Sequence, residues 1–215
     1  MLEYKDNMSR QISIDKIIDA VLSGIKKSHR QYEKWSGGYW LWNAPEYLIT
    51  ANVANKIAKI SGPKFITLEN GSKSLIEDAG ARGRGRLPKD IREKGRVDIL
   101  LWYGNNTPRA VIEIKNYIYD YNQYEKDIKR IKEFLNLNSG QSSLQFGLFG
   151  YCDSADTGKQ KSASQKIMNK RLRIENRIKD ILGEEFSITS VSSNIYKIED
   201  SAWCASCFLI KRKGK

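Results

Sequence analysis

The sequence contains no run of about 18 or more apolar residues, and its first residues lack the hydrophobic core of a secretion signal. It therefore predicts a protein without a membrane segment. Histidine is nearly absent, since His29 is the only one, so a mechanism that depends on a pair of histidines is not expected. No motif of the form G-x-x-x-x-G-K-[ST] occurs, so we expect no use of ATP.

Cysteine is scarce as well: the three are Cys152, Cys204 and Cys207. An odd number gives no disulfide framework. Cys204 and Cys207 have the spacing of a metal-binding pair, but WCASCFLI is typical of a strand, in which positions three apart point to opposite faces. No second pair and no nearby histidine completes a zinc site. We therefore expect buried free thiols and a cytoplasmic location, where thiols stay reduced.

Positive charge is what the sequence has in excess. Lys and Arg number 37 against 25 Asp and Glu, which gives a formal net charge of +12 over 215 residues. Such a surplus favours a nucleic-acid partner, because each neutralised phosphate releases condensed counterions. DNA is preferred to RNA as the expected partner, although nothing in the sequence distinguishes the two sugars.

The segment from 82 to 96 concentrates this charge, with seven basic residues against two acidic ones. Its glycines let a ligand approach the backbone closely. A solvated loop and an anion-binding loop both fit this composition. In the second case, the residues that contact phosphates are Arg82, Arg84, Arg86, Lys89, Arg92 and Arg96.

Hydrophobic spacing predicts one domain, residues 1–215, in which helices and strands are mixed. Helical periodicity predicts a first helix from about Ile14 that ends before Trp35, and a second that begins at Pro45. Further helices are predicted near 73–78 and on both sides of the strand at 146–152. Apolar runs predict strands at 65–68, 97–103, 110–115, 146–152, 195–198 and 203–210. This order indicates an α/β (α+β) fold with a central mixed sheet flanked by helices.

Two of the predicted strands carry charges that burial would penalise. VDILLWY and AVIEIK flank the turn GNNTPR, which is typical of a hairpin. Glu113 and Lys115 are two apart and share one face of their strand, while Asp98 lies near the start of the preceding one. In a hairpin the start of one strand lies beside the end of the other, so these three side chains should meet.

Two neighbouring carboxylates repel each other unless a cation lies between them, and oxygen ligands favour Mg²⁺ or Mn²⁺. Such a metal activates a water and a phosphate, and Lys115 would orient the water or stabilise the charge on the phosphate. A purely structural network of ion pairs among the same residues stays open as an alternative.

The pattern of Asp98 followed by Glu113-Ile114-Lys115 resembles the D…(D/E)XK signature of the PD-(D/E)XK, or restriction-endonuclease-like, nuclease superfamily. The order of elements over residues 44–152 also resembles the core of that superfamily, although Val97 stands where the family name has Pro. The resemblance implies a restriction-endonuclease-like fold and a Mg²⁺-dependent nuclease. The active-site residues that it implies are Asp98, Glu113 and Lys115.

The resemblance also implies a ligand set for the metal: Glu46, Asp98, Glu113 and the backbone carbonyl of Ile114. Many members carry a further acid on the helix before the first core strand, and Glu46 matches that position best. A carboxylate in the first turn of a helix is equally favoured by the helix dipole, so a structural role for Glu46 stays open.

Hydrolysis of DNA is thus the leading hypothesis, with restriction, repair or antiviral defence as roles by analogy. A non-catalytic nucleic-acid-binding or assembly protein on the same fold, and an RNA-directed nuclease, are the alternatives. A homodimer and a further protein partner stay open.

Three further features receive structural interpretations. Asp127 and Arg130 have the spacing of an ordinary helix pair, and His29 is expected at the surface or in a helix cap. The segment WSGGYWLWNAPE predicts an ordered loop. Its aromatic residues are interpreted as core packing, with base stacking as the alternative.

Overall fold

The computed structural model describes residues 11–81, 91, 95–137 and 140–214. The strands are β1 (Lys64–Gly71), β2 (Arg96–Tyr103), β3 (Pro108–Lys115), β4 (Phe146–Asp156), β5 (Phe186–Ser192), β6 (Tyr196–Ile198) and β7 (Ser201–Arg212). The α-helices are α1 (Ile14–Ser36), α2 (Glu46–Ala58), α3 (Ser72–Asp78), α4 (Asn122–Asn136) and α5 (Ala163–Leu182), and a 3₁₀ turn covers Leu41–Asn43.

The seven strands of the described residues belong to one mixed sheet with the order β1-β2-β3-β4-β7-β5, and β6 pairs with β7. The strands β2 and β3 are adjacent and antiparallel, which confirms the predicted hairpin. The strands β3 and β4 are parallel and are connected through α4. The predicted mixed sheet flanked by helices is therefore confirmed.

Helices cover both faces of the sheet, and each face has its own apolar core. One core joins α1 and α2 to the side chains of Ile99, Ile112 and Ile114. The other joins α3, α4 and α5 to Val111, Phe149 and neighbouring side chains. Because β3 contributes to both cores, every residue from Pro108 to Ile114 is buried, charged or not.

The ends of the helices differ slightly from the sequence prediction. Ser13 caps α1, and α1 continues past its predicted end through Trp35 to Ser36. Gly37 terminates the helix, with a φ of 73° that glycine adopts at little cost. Pro45 precedes α2 as its N-cap instead of beginning it. His29 consequently lies inside α1, where it is 2% exposed, so the expected surface or capping role is wrong.

The strand β5 had no counterpart in the sequence prediction. Its sequence, FSITSVS, is rich in serine, and only Phe186 is fully buried in it. An edge strand with so little apolar surface has a weak hydrophobic signal, and the backbone of β7 supplies its pairing partner.

The three cysteines are free and buried, as expected. Cys207 packs in the core beneath α1 and α2, and Cys204 packs in a small separate cluster beside α5. The two thiols therefore do not form a metal-binding pair. Among the described helices, none is long and apolar enough to cross a bilayer.

Candidate active site

The hairpin of β2 and β3 brings Asp98 beside the end of β3. The register pairs Ile99 with Ile112, so its continuation by one residue sets Asp98 opposite Glu113. The Oδ2 atom of Asp98 accepts a hydrogen bond of 2.7 Å from the backbone N–H of Ile114. Since Ile112 and Ile114 point into the core beneath α1 and α2, alternation along the strand turns Glu113 to the opposite face.

Lys115, the last residue of β3, joins the strands to two helices. Its Nζ lies 3.0 Å from Glu46 Oε1 on α2 and 3.1 Å from Asp127 Oδ2 on α4. The same ammonium group donates a longer hydrogen bond, 3.3 Å, to the carbonyl oxygen of Ile114. Lys115 therefore has a fixed position with carboxylates on two sides.

Arg130 of α4 completes the arrangement. Its Nε lies 2.7 Å from Oε1 of Glu113, and its Nη2 lies 2.6 Å from Oδ1 of Asp127. Glu113 is 0% exposed, and its second oxygen, Oε2, has no hydrogen-bond partner among the described residues. One oxygen of a buried carboxylate is thus left for a ligand.

We call these six residues the charged cluster: Glu46, Asp98, Glu113, Lys115, Asp127 and Arg130. Four carboxyl groups against two cations leave the cluster with a formal charge of −2 when all are ionised. Either protons or a bound cation must offset that charge, because it is partly buried.

The pKa values of the carboxyl groups show the same imbalance. Burial is the largest cause that raises the pKa of Asp98, Glu46 and Glu113, and the increase is large for Glu113. Arg130 opposes the increase at Glu113, while the charges of Asp98 and Asp127 add to it. A nearby positive charge would therefore stabilise the ionised form of each of these carboxyl groups.

Lys115 shows the opposite balance. Burial alone lowers its pKa, but the attraction of Asp127, Glu46 and Asp98 outweighs burial, so the pKa lies above its ordinary value. Lys115 consequently stays an ammonium ion at neutral pH and acts as a cation and hydrogen-bond donor, not as a base.

The structure brings together the four residues that the sequence singled out for catalysis: Asp98, Glu113, Lys115 and Glu46. Glu46 lies against Lys115, and its place among the metal ligands stays a prediction. Among the described residues, no three His, Cys, Asp or Glu side chains form a group that could hold a metal ion.

Most of the basic residues expected to bind phosphate lie outside the described residues: Arg82, Arg84, Arg86, Lys89 and Arg92. The remaining one, Arg96, is exposed at the start of β2. Their contact with nucleic acid stays a prediction.

Sequence reasoning assigned Asp127 and Arg130 to an ordinary helix pair and so missed their place in the charged cluster. A signal was present, because Tyr124, Asp127, Ile128 and Ile131 follow the i, i+3, i+4, i+7 spacing of a buried stripe. Asp127 is indeed buried along with the apolar members of that stripe. An acid at such a position needs a partner, which Arg130 and Lys115 supply.

The donors of Asp98, Glu113 and the Ile114 carbonyl suit a hard divalent cation such as Mg²⁺ or Mn²⁺. The fit depends on the free Oε2 atom of Glu113 and on the excess of carboxylates over cations. Glu46, in contrast, fits a role in holding Lys115.

Comparison of the chain with protein-family models, with curated proteins and with solved structures found no match.

Proposed function

We propose that the protein is a metal-dependent nuclease that hydrolyses phosphodiester bonds at the charged cluster, with DNA as its main substrate. The observation that carries the proposal is the composition of the cluster: four carboxyl groups around two cations, with Oε2 of the buried Glu113 free of any partner among the described residues. The resemblance to the PD-(D/E)XK signature agrees with this composition.

The cluster assigns a different task to each side chain. Asp98, Glu113 and the Ile114 carbonyl would hold Mg²⁺ or Mn²⁺, which when bound supplies Lewis-acid activation of a water and of the phosphate. Lys115, fixed as an ammonium ion by Glu46 and Asp127, would stabilise the charge that builds on the phosphate. Such a preset cation loses little energy to reorganisation during the reaction.

The net charge of +12 supports a polyanionic substrate. The cluster itself is acidic, so phosphate would approach it only when a cation is bound there or when basic residues nearby attract it. The buried free thiols agree with a reducing compartment such as the cytoplasm.

The test of the proposal is incubation of the purified chain with plasmid, linear duplex, single-stranded DNA and RNA, each in Mg²⁺, Mn²⁺ and EDTA. We expect cleavage of DNA with a divalent cation and none in EDTA. Glu113→Gln should weaken metal binding and reduce cleavage by about 100-fold or more. Lys115→Ala should reduce turnover comparably while metal binding survives, because it removes a like charge from the site.

The chain offers matched controls for both variants. Glu125 and Lys129 form an ion pair of 2.7 Å on the surface of α4, outside the charged cluster. Glu125→Gln and Lys129→Ala remove the same chemical groups, and both should cut DNA like the parent. Mg²⁺ at 100 times its dissociation constant should stabilise the folded parent by about 2.7 kcal/mol, which raises the melting temperature. The melting temperature of Glu113→Gln should not rise.

A non-catalytic nucleic-acid-binding protein is the second candidate function. Two observations favour it. Lys115 and Arg130 already neutralise part of the cluster. In addition, no three His, Cys, Asp or Glu side chains of the described residues form a group that could hold a metal ion. A parent chain that binds DNA, cuts no nucleic acid in any divalent cation and shows no thermal shift with Mg²⁺ would establish this candidate instead.

A further inference from the structure

Aromatic rings form a continuous series across the end of the sheet that carries Lys115. We call the series the aromatic row, and its members in spatial order are Tyr119, Tyr117, Trp42, Trp40, His29 and Trp203. Consecutive ring centroids are 4.5, 5.6, 5.1, 5.4 and 3.8 Å apart. The rings come from the segment after β3, the segment before α2, α1 and β7, which are far apart in sequence.

The row begins beside the charged cluster. Asn116, the residue after Lys115, donates hydrogen bonds from Nδ2 to the carbonyl oxygens of Trp42 and Ala44, at 3.2 and 3.0 Å. The segment that carries Trp42 is therefore fastened to the end of β3. Tyr117 is fixed as well, because its hydroxyl donates to the carbonyl oxygen of Ser154 on β4, at 3.3 Å.

Exposure increases along the row towards Tyr119. The inner rings, His29 and Trp203, are 2% and 3% exposed and belong to the core, whereas Tyr119 is 70% exposed. Trp42 and Tyr117 between them are half-buried. The outer end of the row therefore presents an aromatic ring to solvent that is continuous with rings packed in the core.

Tyr119 is exposed on a well-fixed backbone. The side chain of Gln123 accepts hydrogen bonds from the backbone N–H groups of both Tyr119 and Asp120. Because the backbone at Tyr119 is fixed before a ligand arrives, stacking costs only the rotational freedom of the side chain.

Positive charge borders the row. The ammonium group of Lys170 lies 3.9 Å from the centre of the Tyr117 ring and also pairs with the buried Asp153, at 2.7 Å. Beyond the inner end, Tyr196 stacks on Trp203, and the Arg30 guanidinium lies 5.8 Å from the Tyr196 ring. Residues 26–34 of α1, which include His29, carry four basic residues and one acid.

We propose that the aromatic row binds unpaired bases of a single nucleic-acid strand whose backbone runs to the charged cluster. Ring faces stack on bases of any sequence, and the bordering cations attract the phosphates, which is how proteins bind single strands without reading their sequence. A duplex hides its base faces and cannot use the row. The proposal rests on the proposed function only in taking the bound strand to be the substrate.

The test is fluorescence anisotropy of one labelled oligonucleotide as single-stranded DNA, as single-stranded RNA and as blunt duplex DNA, all in EDTA so that nothing is cut. The parent should bind a single strand more tightly than the duplex. Tyr119→Ala should raise the single-strand dissociation constant about 5- to 150-fold and leave duplex binding unchanged, since one stacked base contributes about 1–3 kcal/mol. Tyr119→Phe should keep the parent's affinity.

Phe65→Ala is the control, because Phe65 is a 51% exposed ring on the edge strand β1, outside the row. It should bind every oligonucleotide like the parent. Melting temperatures verify that both alanine variants fold, as expected for exposed positions. Comparison of the DNA and RNA arms identifies the sugar of the bound strand.

Two results would overturn the proposal: a parent that binds duplex as tightly as single strands, or a Tyr119→Ala variant that binds single strands like Phe65→Ala. Because the assay contains no divalent cation, it is independent of cleavage. A chain that binds single strands through Tyr119 yet cuts nothing in Mg²⁺ would retain the aromatic row and refute the nuclease.

Discussion

Glu113 depends on Arg130 for its place in the middle of the sheet. Its side chain is fully buried, and a buried carboxylate without a partner costs several kcal/mol. Arg130 stabilises one oxygen at 2.7 Å, and the other has no such partner among the described residues. The ion pair with Arg130 thus lets the chain bury Glu113, while Oε2 can still coordinate a ligand. This arrangement suits a binding site better than a purely structural ion pair.

His29 is the second polar residue whose burial needs an explanation. Its ring stacks on Trp203 with centroids 3.8 Å apart and planes within 6°, and neither ring nitrogen has a hydrogen-bond partner among the described residues. Burial, reinforced by the charge of Arg30, lowers the pKa of His29 from 6.5 to about 4. The neutral ring therefore serves as an aromatic packing element.

We predict that His29→Phe gains stability relative to the parent as the pH falls from about 6.5 to 4. Between these values His29 binds a proton in the unfolded parent but not in the folded parent. The contribution of neutral His29 to the stability of the parent is therefore complete above pH 6.5 and is lost as the pH falls towards 4. The relative gain should reach at most about 3 kcal/mol. Urea unfolding at several pH values measures it.

The stability of His29→Phe must be compared with that of the parent at each pH, because the buried acids change stability with pH in the opposite direction to His29. The pKa values of Asp98 and Glu113 are raised, so their contribution to stability is present at low pH and is lost as the pH rises. They are the same in parent and variant and cancel in the difference. A difference in stability that stays constant from pH 7 to pH 4 would contradict a proton-excluding His29.

At the scale of elements, the close packing of α1 on α2 determines where Glu46 lies. A Cβ atom added to Gly24 would come within 2.5 Å of the Cα atom of Val53, so the two helix backbones nearly touch there. Buried polar contacts strengthen the interface, since Asn52 donates hydrogen bonds of 3.0 Å to Ser28 and 2.9 Å to Gln31. This contact holds α2, and with it Glu46, against the end of β3.

We predict that Gly24→Ala destabilises the protein by about 1–3 kcal/mol, because the added methyl group meets backbone that cannot yield without moving a helix. The better helix propensity of alanine, about 1 kcal/mol, offsets only part of that cost. The free energy of unfolding measures the effect. Ser23→Ala, at the neighbouring and partly exposed position of α1, should be neutral or slightly stabilising. Equal stability of the two variants would show that α1 and α2 are not in tight contact.

A similar close approach positions Arg130. The Cβ of a residue at 147 on β4 would lie 2.3 Å from the side chain of Ile131, so Gly147 lets α4 lie close to the sheet. Arg130 precedes Ile131 and thereby reaches Glu113 on the neighbouring strand β3. The packing of a helix on a glycine is thus part of the geometry of the charged cluster.

For the molecule as a whole, the distribution of charge matters more than its total. A cluster with a formal charge of −2 lies within a chain of net charge +12. Long-range attraction of a polyanion and local binding of a cation can therefore coexist, and the two effects respond differently to salt.

We predict that changing Arg82, Arg84 and Arg86 together to Ala weakens binding to DNA and flattens its salt dependence. For every phosphate that these arginines no longer neutralise, the log–log slope should fall by about 0.9, because fewer counterions are released. The measurement is DNA affinity from about 50 to 200 mM salt.

The control removes three exposed lysines that are dispersed over the chain, Lys16, Lys197 and Lys213. Both triple variants have a formal net charge of +9, three below the parent. Only the arginine variant should change the slope. If the two variants behave alike, the segment contributes through net charge alone and does not itself bind phosphates.

The sequence by itself determined the features that depend on neighbours along the chain. Alternating and helical hydrophobic spacing identified most helices and strands, and the turn between β2 and β3 was sufficient to predict the hairpin that brings Asp98 to Glu113 and Lys115. These contacts span fewer than about 20 residues, and a strand's periodicity of two fixes the face on which each side chain lies.

Only the tertiary structure decided which distant groups surround that hairpin. Glu46 meets Lys115 across 69 residues, and Arg130 reaches Glu113 because α4 packs on the sheet that β3 and β4 share. His29 became a core residue through its contact with Trp203, and β5 formed because β7 offered it a free edge. Periodicity shows which face of an element is apolar, but it carries no information about which element will cover that face; the packing of the whole chain sets those partners.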